Sequence, residues 1–110
     1  MSAAPENATG RVRVLLYLRA DPTEDGAVAE AYHRISRELK GTDGLLGNEL
    51  LRELTDPGAF AVLSEWESAD AFRTWEAGAG HRNTTSPLRR HQDRERPTPF
   101  ALYRVDAAYR

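Results

Sequence analysis

Tyr17, Tyr32, Asn48, Trp66, Phe72, Trp75, His81, Arg89 and Tyr103 are the side chains in this sequence whose types suit work on a small molecule. Aromatic faces stack well on a planar, polycyclic ligand. A few oriented donors in an apolar pocket are the usual makings of a small-molecule site. Each residue also has a structural reading. Phe72 and Trp75 share the inner side of a helix and suit a core. Trp66 ends a strand and suits either core or pocket wall. Tyr17 faces away from the apolar stripe of its strand, which fits a subunit contact or a pocket. His81 follows a glycine-rich break, where it either touches substrate or caps the next segment. Arg89 and Arg90 suit a solvated surface, or the binding of a phenolate or carboxylate anion.

Several other chemistries find no support. His33, His81 and His91 lack the spacing of a structural zinc site, and no metal is expected. There is no phosphate loop, dinucleotide fingerprint or serine elbow. Cysteine is absent, which removes thiol chemistry and fits a cytoplasmic location. A net charge of -2, from 15 basic and 17 acidic residues, offers no positive field to nucleic acid. No run approaches the ~20 apolar residues of a membrane span. The first ten residues do not read as a secretory signal, and none is expected. Neither nucleic acid nor membrane is therefore expected as a partner.

The elements that must position these groups follow from periodicity. Residues 1–10 read as a loose tail and 11–110 as a single domain. Val12, Val14, Leu16 and Leu18 alternate on one face of a first strand, with Leu15 and Tyr17 on the other. DPTEDG opens a helix, with Thr23 or Asp25 as its cap. Val28, Tyr32, Ile35 and Leu39 form its apolar stripe, and Gly41 and Gly44 end it. A second strand runs from Leu46 to Leu54, with Leu46, Asn48, Leu50, Arg52 and Leu54 on one face. After the turn TDPG a third strand covers Phe60–Glu67, and the two read as a hairpin. Ser68 caps a second helix carrying Phe72 and Trp75. The break GAG at 78–80 precedes a short helix restarted at Ser86-Pro87, with its body at Leu88–His91. Phe100–Ala108 forms the last strand. The order predicts an α+β fold: ferredoxin-like βαββαβ with a four-stranded antiparallel sheet and both helices on one face. The opposite face carries apolar side chains too, which favours pairing with a second copy.

VLSEWESADAFRTWEAGAGHR carries a more specific signal. Its strand ends in Trp66-Glu67, a helix follows with Ala71-Phe72 and Trp75, and His81-Arg82 comes after. With GLLGNELLRE before it and SPLRR at 86–90 after it, the chain resembles the antibiotic biosynthesis monooxygenase family over about residues 11–108. The resemblance implies a dimeric α+β barrel, two sheets packed face to face as a homodimer, each subunit with a pocket between sheet and helices. It also implies oxidation of an aromatic polyketide intermediate, such as an anthrone, to a quinone. Molecular oxygen is then the co-substrate, and neither flavin nor metal is needed.

On that pattern Trp66 matches a pocket tryptophan, and Arg89 or Arg90 stands near an anion-stabilising arginine. Taken with the residue types above, the candidate catalytic residues are His81, Trp66, Arg89 and Tyr17, and the candidate substrate contacts are Tyr32, Asn48, Phe72, Trp75 and Tyr103. Two departures stand out: Val62 occupies the place of an asparagine of the anthrone oxygenases, and Phe72 that of a tyrosine. The haem-degrading branch is matched at Trp75 only, since Tyr17 replaces its first-strand asparagine and Thr85 its histidine. Haem is not expected. A non-oxidative polyketide cyclase and a non-catalytic small-molecule-binding accessory protein are the alternative functions.

Overall fold

The computed structural model describes residues 10–78 and 80–109; the side chains of Pro22, Asp25 and residues 81–84 lie outside that description. The tail expected at 1–10 therefore falls outside it apart from Gly10. The elements are β1 (Val12–Arg19), a 3-10 turn (Pro22–Glu24), α1 (Asp25–Leu39), β2 (Leu45–Arg52), β3 (Ala59–Trp66), α2 (Ala69–Ala77), α3 (His81–Arg89) and β4 (Phe100–Arg104). The sheet runs β2-β3-β1-β4 with every neighbouring pair antiparallel. This is the expected ferredoxin-like arrangement.

The barrel half of that expectation is corrected. The sheet is open: β2 pairs only with β3, β4 pairs only with β1, and the two edge strands lie at opposite ends. With strands about 4.8 Å apart, three spacings separate those edges, and no ladder closes them.

Alternation decides what each face does. Val12, Val14 and Leu18 of β1, Phe60 and Trp66 of β3, and Phe72 of α2 are buried. One core cluster joins Leu18 and Phe60 to Val28, Ala31 and Ile35 of α1 and Leu88 of α3. A second joins Val12 and Val14 to Trp66 and Phe72, with Phe100 and Leu102 of β4 packed against it. The outer face carries Arg13, Leu15, Tyr17, Leu63 and Tyr103 in register. Tyr103 and Leu51 are exposed there.

Four local expectations change. Glu24, not Thr23 or Asp25, stands at the cap of α1 and makes no side-chain capping bond. A bulge between Leu45 and Gly47 in β2 turns Leu45 inward onto Trp66 and leaves Leu46 44% exposed. The extra residue offsets the two-residue alternation by one, so Asn48 and Leu50 still face the helices. The helix expected at 86–91 begins at His81, and Pro87 lies inside it. The run Arg82–Ser86 has no apolar periodicity, so nothing in the pattern announced those turns. β4 stops at Arg104 rather than Ala108.

Gly44 fixes where α2 sits. Its φ of 82° is left-handed, and a Cβ there would lie 2.5 Å from the Ala71 Cβ. Only glycine permits both the conformation and the approach. Beyond α3, the chain turns back along β1. The Arg19 N–H donates to the His91 carbonyl at 2.7 Å, and the Asp93 N–H donates to the Tyr17 carbonyl at 3.0 Å.

Candidate functional site

The inner face of the sheet and the three helices enclose a cavity of about 550 Å3. Its floor is Val14 and Leu16 of β1, Val62, Ser64 and Trp66 of β3, and Asn48 of β2. These positions share a face by strand alternation. α1 contributes Tyr32, Ile35, Ser36 and Leu39, which lie within two turns on one helical side. α2 brings Trp75 and Glu76, and α3 brings Thr85, Leu88 and Arg89. Gln92, Pro99 and Phe100 complete the wall.

An aromatic group holds one end. Trp66 is 1% exposed. Its ring lies 5.2 Å from Trp75 and 5.5 Å from Phe72, between centroids. Phe72 also meets Phe100 edge-on at 6.1 Å. Such tilted and T-shaped contacts are the favoured geometry for aromatic pairs. The Trp66 indole N–H donates to the Ser64 hydroxyl at 2.9 Å. Because Ser64 accepts that bond, its own proton remains available to a ligand.

A polar strip crosses the floor beside these rings. Asn48 and Ser64 are cross-strand partners in the β2–β3 register. The Asn48 carboxamide oxygen accepts a short hydrogen bond from the Tyr32 hydroxyl and a second from Ser36 at 3.3 Å. Tyr32 and Ser36 are one helical turn apart, so α1 grips Asn48 from two points. A side chain fixed this way presents its remaining donors in a set direction, which orients a ligand at little entropic cost. The cavity thus combines apolar aromatic walls, neutral donors on the sheet, and two charged groups, Glu76 and Arg89, on the helices.

The sequence pattern described as antibiotic biosynthesis monooxygenase matches residues 11–85. The chain belongs to this family. Protein SchA of Streptomyces halstedii is 33% identical over 78 residues, covering 71% of this chain. A 42.8 kDa protein in the whiE locus of Streptomyces coelicolor matches at the same identity and coverage. The chain spans about a fifth of the length of either relative (20% of each). Among solved structures, SnoaB of Streptomyces nogalater, a cofactor-independent oxygenase, superposes with a TM-score of 0.71 at 18% identity, covering 92% of this chain and 97% of SnoaB. A conserved protein from Methanosarcina mazei superposes with a TM-score of 0.73 at 16% identity, over 90% of this chain and 96% of that one. At these identities the likeness is one of fold.

Within this member of the family, the residues singled out by sequence divide in three. Trp66, Trp75, Tyr32, Asn48 and Arg89 line the same cavity. Phe72 supports Trp66 and Trp75 from behind. Tyr17 and Tyr103 stand on the outer face, with the sheet between them and the cavity, so the structure does not bring them together with Trp66. Burial and a hydrogen bond with Tyr103 push the Tyr17 phenol up, while Arg96, 3.7 Å over its ring, opposes the shift. The His81 side chain lies outside the described residues; its backbone opens α3.

Ser36, Ser64, Glu76, Thr85 and Gln92 are lining residues that the sequence pattern does not single out. Ser64 carried a usable signal: a polar residue between Val62 and Trp66 on an inward-facing stripe needs a partner or a ligand. Ser36 also did, four residues after Tyr32 on the same helical side. Among the described residues, no group of three or more potential metal ligands gathers. No described helix is long and apolar enough to cross a membrane.

Proposed function

We propose that this chain is a cofactor-independent oxygenase that oxidises an aromatic polyketide intermediate such as an anthrone to the quinone. The observation that carries this reading is a cavity of about 550 Å3 where Trp66, Trp75 and Phe100 meet the Asn48–Ser64 pair. Flat aromatic walls suit a fused-ring ligand, and hydrogen-bond donors on one side suit an oxygen on its edge. Family membership and the SnoaB-like fold support the same reading.

The chemistry balances without an added redox group. The substrate methylene loses a proton, and the resulting enolate passes an electron to oxygen. Recombination forms a carbon–oxygen bond, and loss of water leaves a carbonyl. One methylene and one O2 become one carbonyl and one H2O. The protein has three tasks in this scheme. Asn48 and Ser64 hold donors toward the enolate oxygen, where preorganised dipoles stabilise developing charge. Arg89 adds a positive charge for the anion. A ligand seated against the aromatic walls displaces water from them, which strengthens both effects. Val62 and Phe72 carry no polar group for the ligand, and the donors on the cavity floor are Asn48 and Ser64.

This reading takes residues 11–110 as the working unit and pairs it with a second copy through the outer face, where Leu15, Leu63 and Leu51 lie. Sedimentation of purified protein is expected to give a dimer, and a monomer at micromolar concentration would overturn the pairing.

Oxygen uptake decides the activity. Purified protein with anthrone in air is expected to consume one O2 per quinone formed. No uptake and no quinone with either anthrone or naphthacenone substrates sinks the proposal. A cyclised product made from a poly-β-ketone without oxygen would point to the cyclase, and binding without turnover to an accessory protein.

A further inference from the structure

The oxygenase scheme needs a group that accepts the first proton, and the cavity wall narrows the choice. Serine, threonine, asparagine and glutamine side chains do not take up protons near neutral pH, while phenol and guanidinium groups already hold theirs. That removes Tyr32, Ser36, Asn48, Ser64, Thr85, Gln92 and Arg89. Among the described lining residues, Glu76 is the remaining ionisable group, and as a carboxylate it accepts protons. No ion pair or hydrogen bond engages it among the described residues. Its position follows from α2: Ser68 caps the helix, Gly44 lets it approach the sheet, and Glu76 comes directly after the wall residue Trp75.

We propose that Glu76 is the general base that removes the C–H proton of the bound substrate. The inference rests on the oxygenase reading above and names a residue for its first step. In an anthrone the acidic methylene and the carbonyl oxygen lie at opposite ends of the central ring. The base and the oxyanion donors must therefore reach the ligand from different places. Glu76 comes from the helical layer, and Asn48 and Ser64 from the sheet. The C–H bond breaks, its proton passes to the Glu76 carboxylate, and its electron pair delocalises through the ring to the carbonyl oxygen. No oxidant is needed for this step.

The step can therefore be watched without oxygen. Wild-type protein mixed with anthrone under nitrogen is expected to develop the visible absorption of the anthrone anion. Glu76→Gln is expected to bind anthraquinone as wild type does, read by quenching of Trp66 and Trp75 fluorescence, and to form no anion band. In air its turnover is expected to fall roughly 100- to 10,000-fold, the usual range for losing a general base. If E76Q forms the band as strongly as wild type, Glu76 is not the base. Glu76 is likewise excluded if wild type binds anthrone and forms no band, or if His81→Asn abolishes the band while E76Q keeps it. A band in wild type, lost in E76Q, without oxygen uptake would uphold Glu76 and overturn the oxygenase reading, so the two ideas fail separately. Should E76Q fold poorly, Glu76→Ala with added formate supplies a carboxylate from solution. Restoration of the band upholds the assignment, and a full band without formate overturns it.

Discussion

Trp66 serves both packing and the cavity, and its two contributions can be separated. Its ring is enclosed by Phe72 and Trp75, while its indole N–H reaches Ser64 at 2.9 Å. Trp66→Phe keeps an aromatic ring, removes that donor and leaves a void. Denaturant unfolding is expected to show a loss of about 1–3 kcal/mol, from reduced burial plus one hydrogen bond. Anthraquinone affinity is expected to fall as well, read through the remaining Trp75. Unchanged affinity would remove Trp66 from the ligand wall and leave it as core alone. The residue types were legible in the sequence, but their side of the sheet was only half so. Alternation correctly put Tyr17 opposite Val14 and Leu16. It did not say that helices enclose the cavity on the Val14 side, and an aromatic residue on either face then looked usable. Glu76 went unseen because a glutamate on an amphipathic helix ordinarily marks solvent. Only the approach of α2 and α3 over the floor turns it into a lining group.

At the scale of elements, α2 has the most to set, since it delivers Phe72, Trp75 and Glu76 together. The Ser68 hydroxyl accepts from the Ala71 N–H at 3.1 Å and satisfies a donor that the first helical turn leaves open. Ser68→Ala is expected to cost about 1 kcal/mol and lower the melting temperature by several degrees. A melting curve unchanged within error would mean that packing against Gly44, rather than the cap, fixes the helix start. This cap was readable in advance because a serine after a strand-ending Trp-Glu stands directly before an amphipathic run. The cap of α1 was not, since Thr23 and Asp25 compete within one turn and the 3-10 turn at Pro22–Glu24 moves the start. The β2 bulge was hidden for a related reason: Leu45 and Leu46 are chemically equivalent, and only the register against Trp66 selects between them. The start of α3 gave no warning because its first turns are polar; among the described side chains of this helix the deep anchor is Leu88, 3% exposed.

For the molecule as a whole, His91 ties stability to pH. It is 5% exposed, at the junction where the chain leaving α3 bonds back to β1. Leu18 of β1 and Leu88 of α3, both in the larger core cluster, flank that junction. Burial is the main cause that lowers its pKa below the ordinary 6.5; Arg90 pushes the same way, and Glu24 partly opposes. Arg90 and Glu24 also meet each other at 3.5 Å across the exposed side. The sign follows from proton counting. An unfolded chain takes up a proton at His91 near 6.5, while the folded chain resists until lower pH, so the unfolded state binds more protons in between. The stabilisation is complete above 6.5 and is lost as the pH falls from there through the folded value. The slope from this one group is at most about 1.4 kcal/mol per pH unit. Urea unfolding between about pH 7.5 and 5 is therefore expected to show falling stability, and His91→Gln a flatter dependence over the same range. Equal slopes in wild type and His91→Gln would remove His91 as the source and assign the pH dependence to other titrating groups.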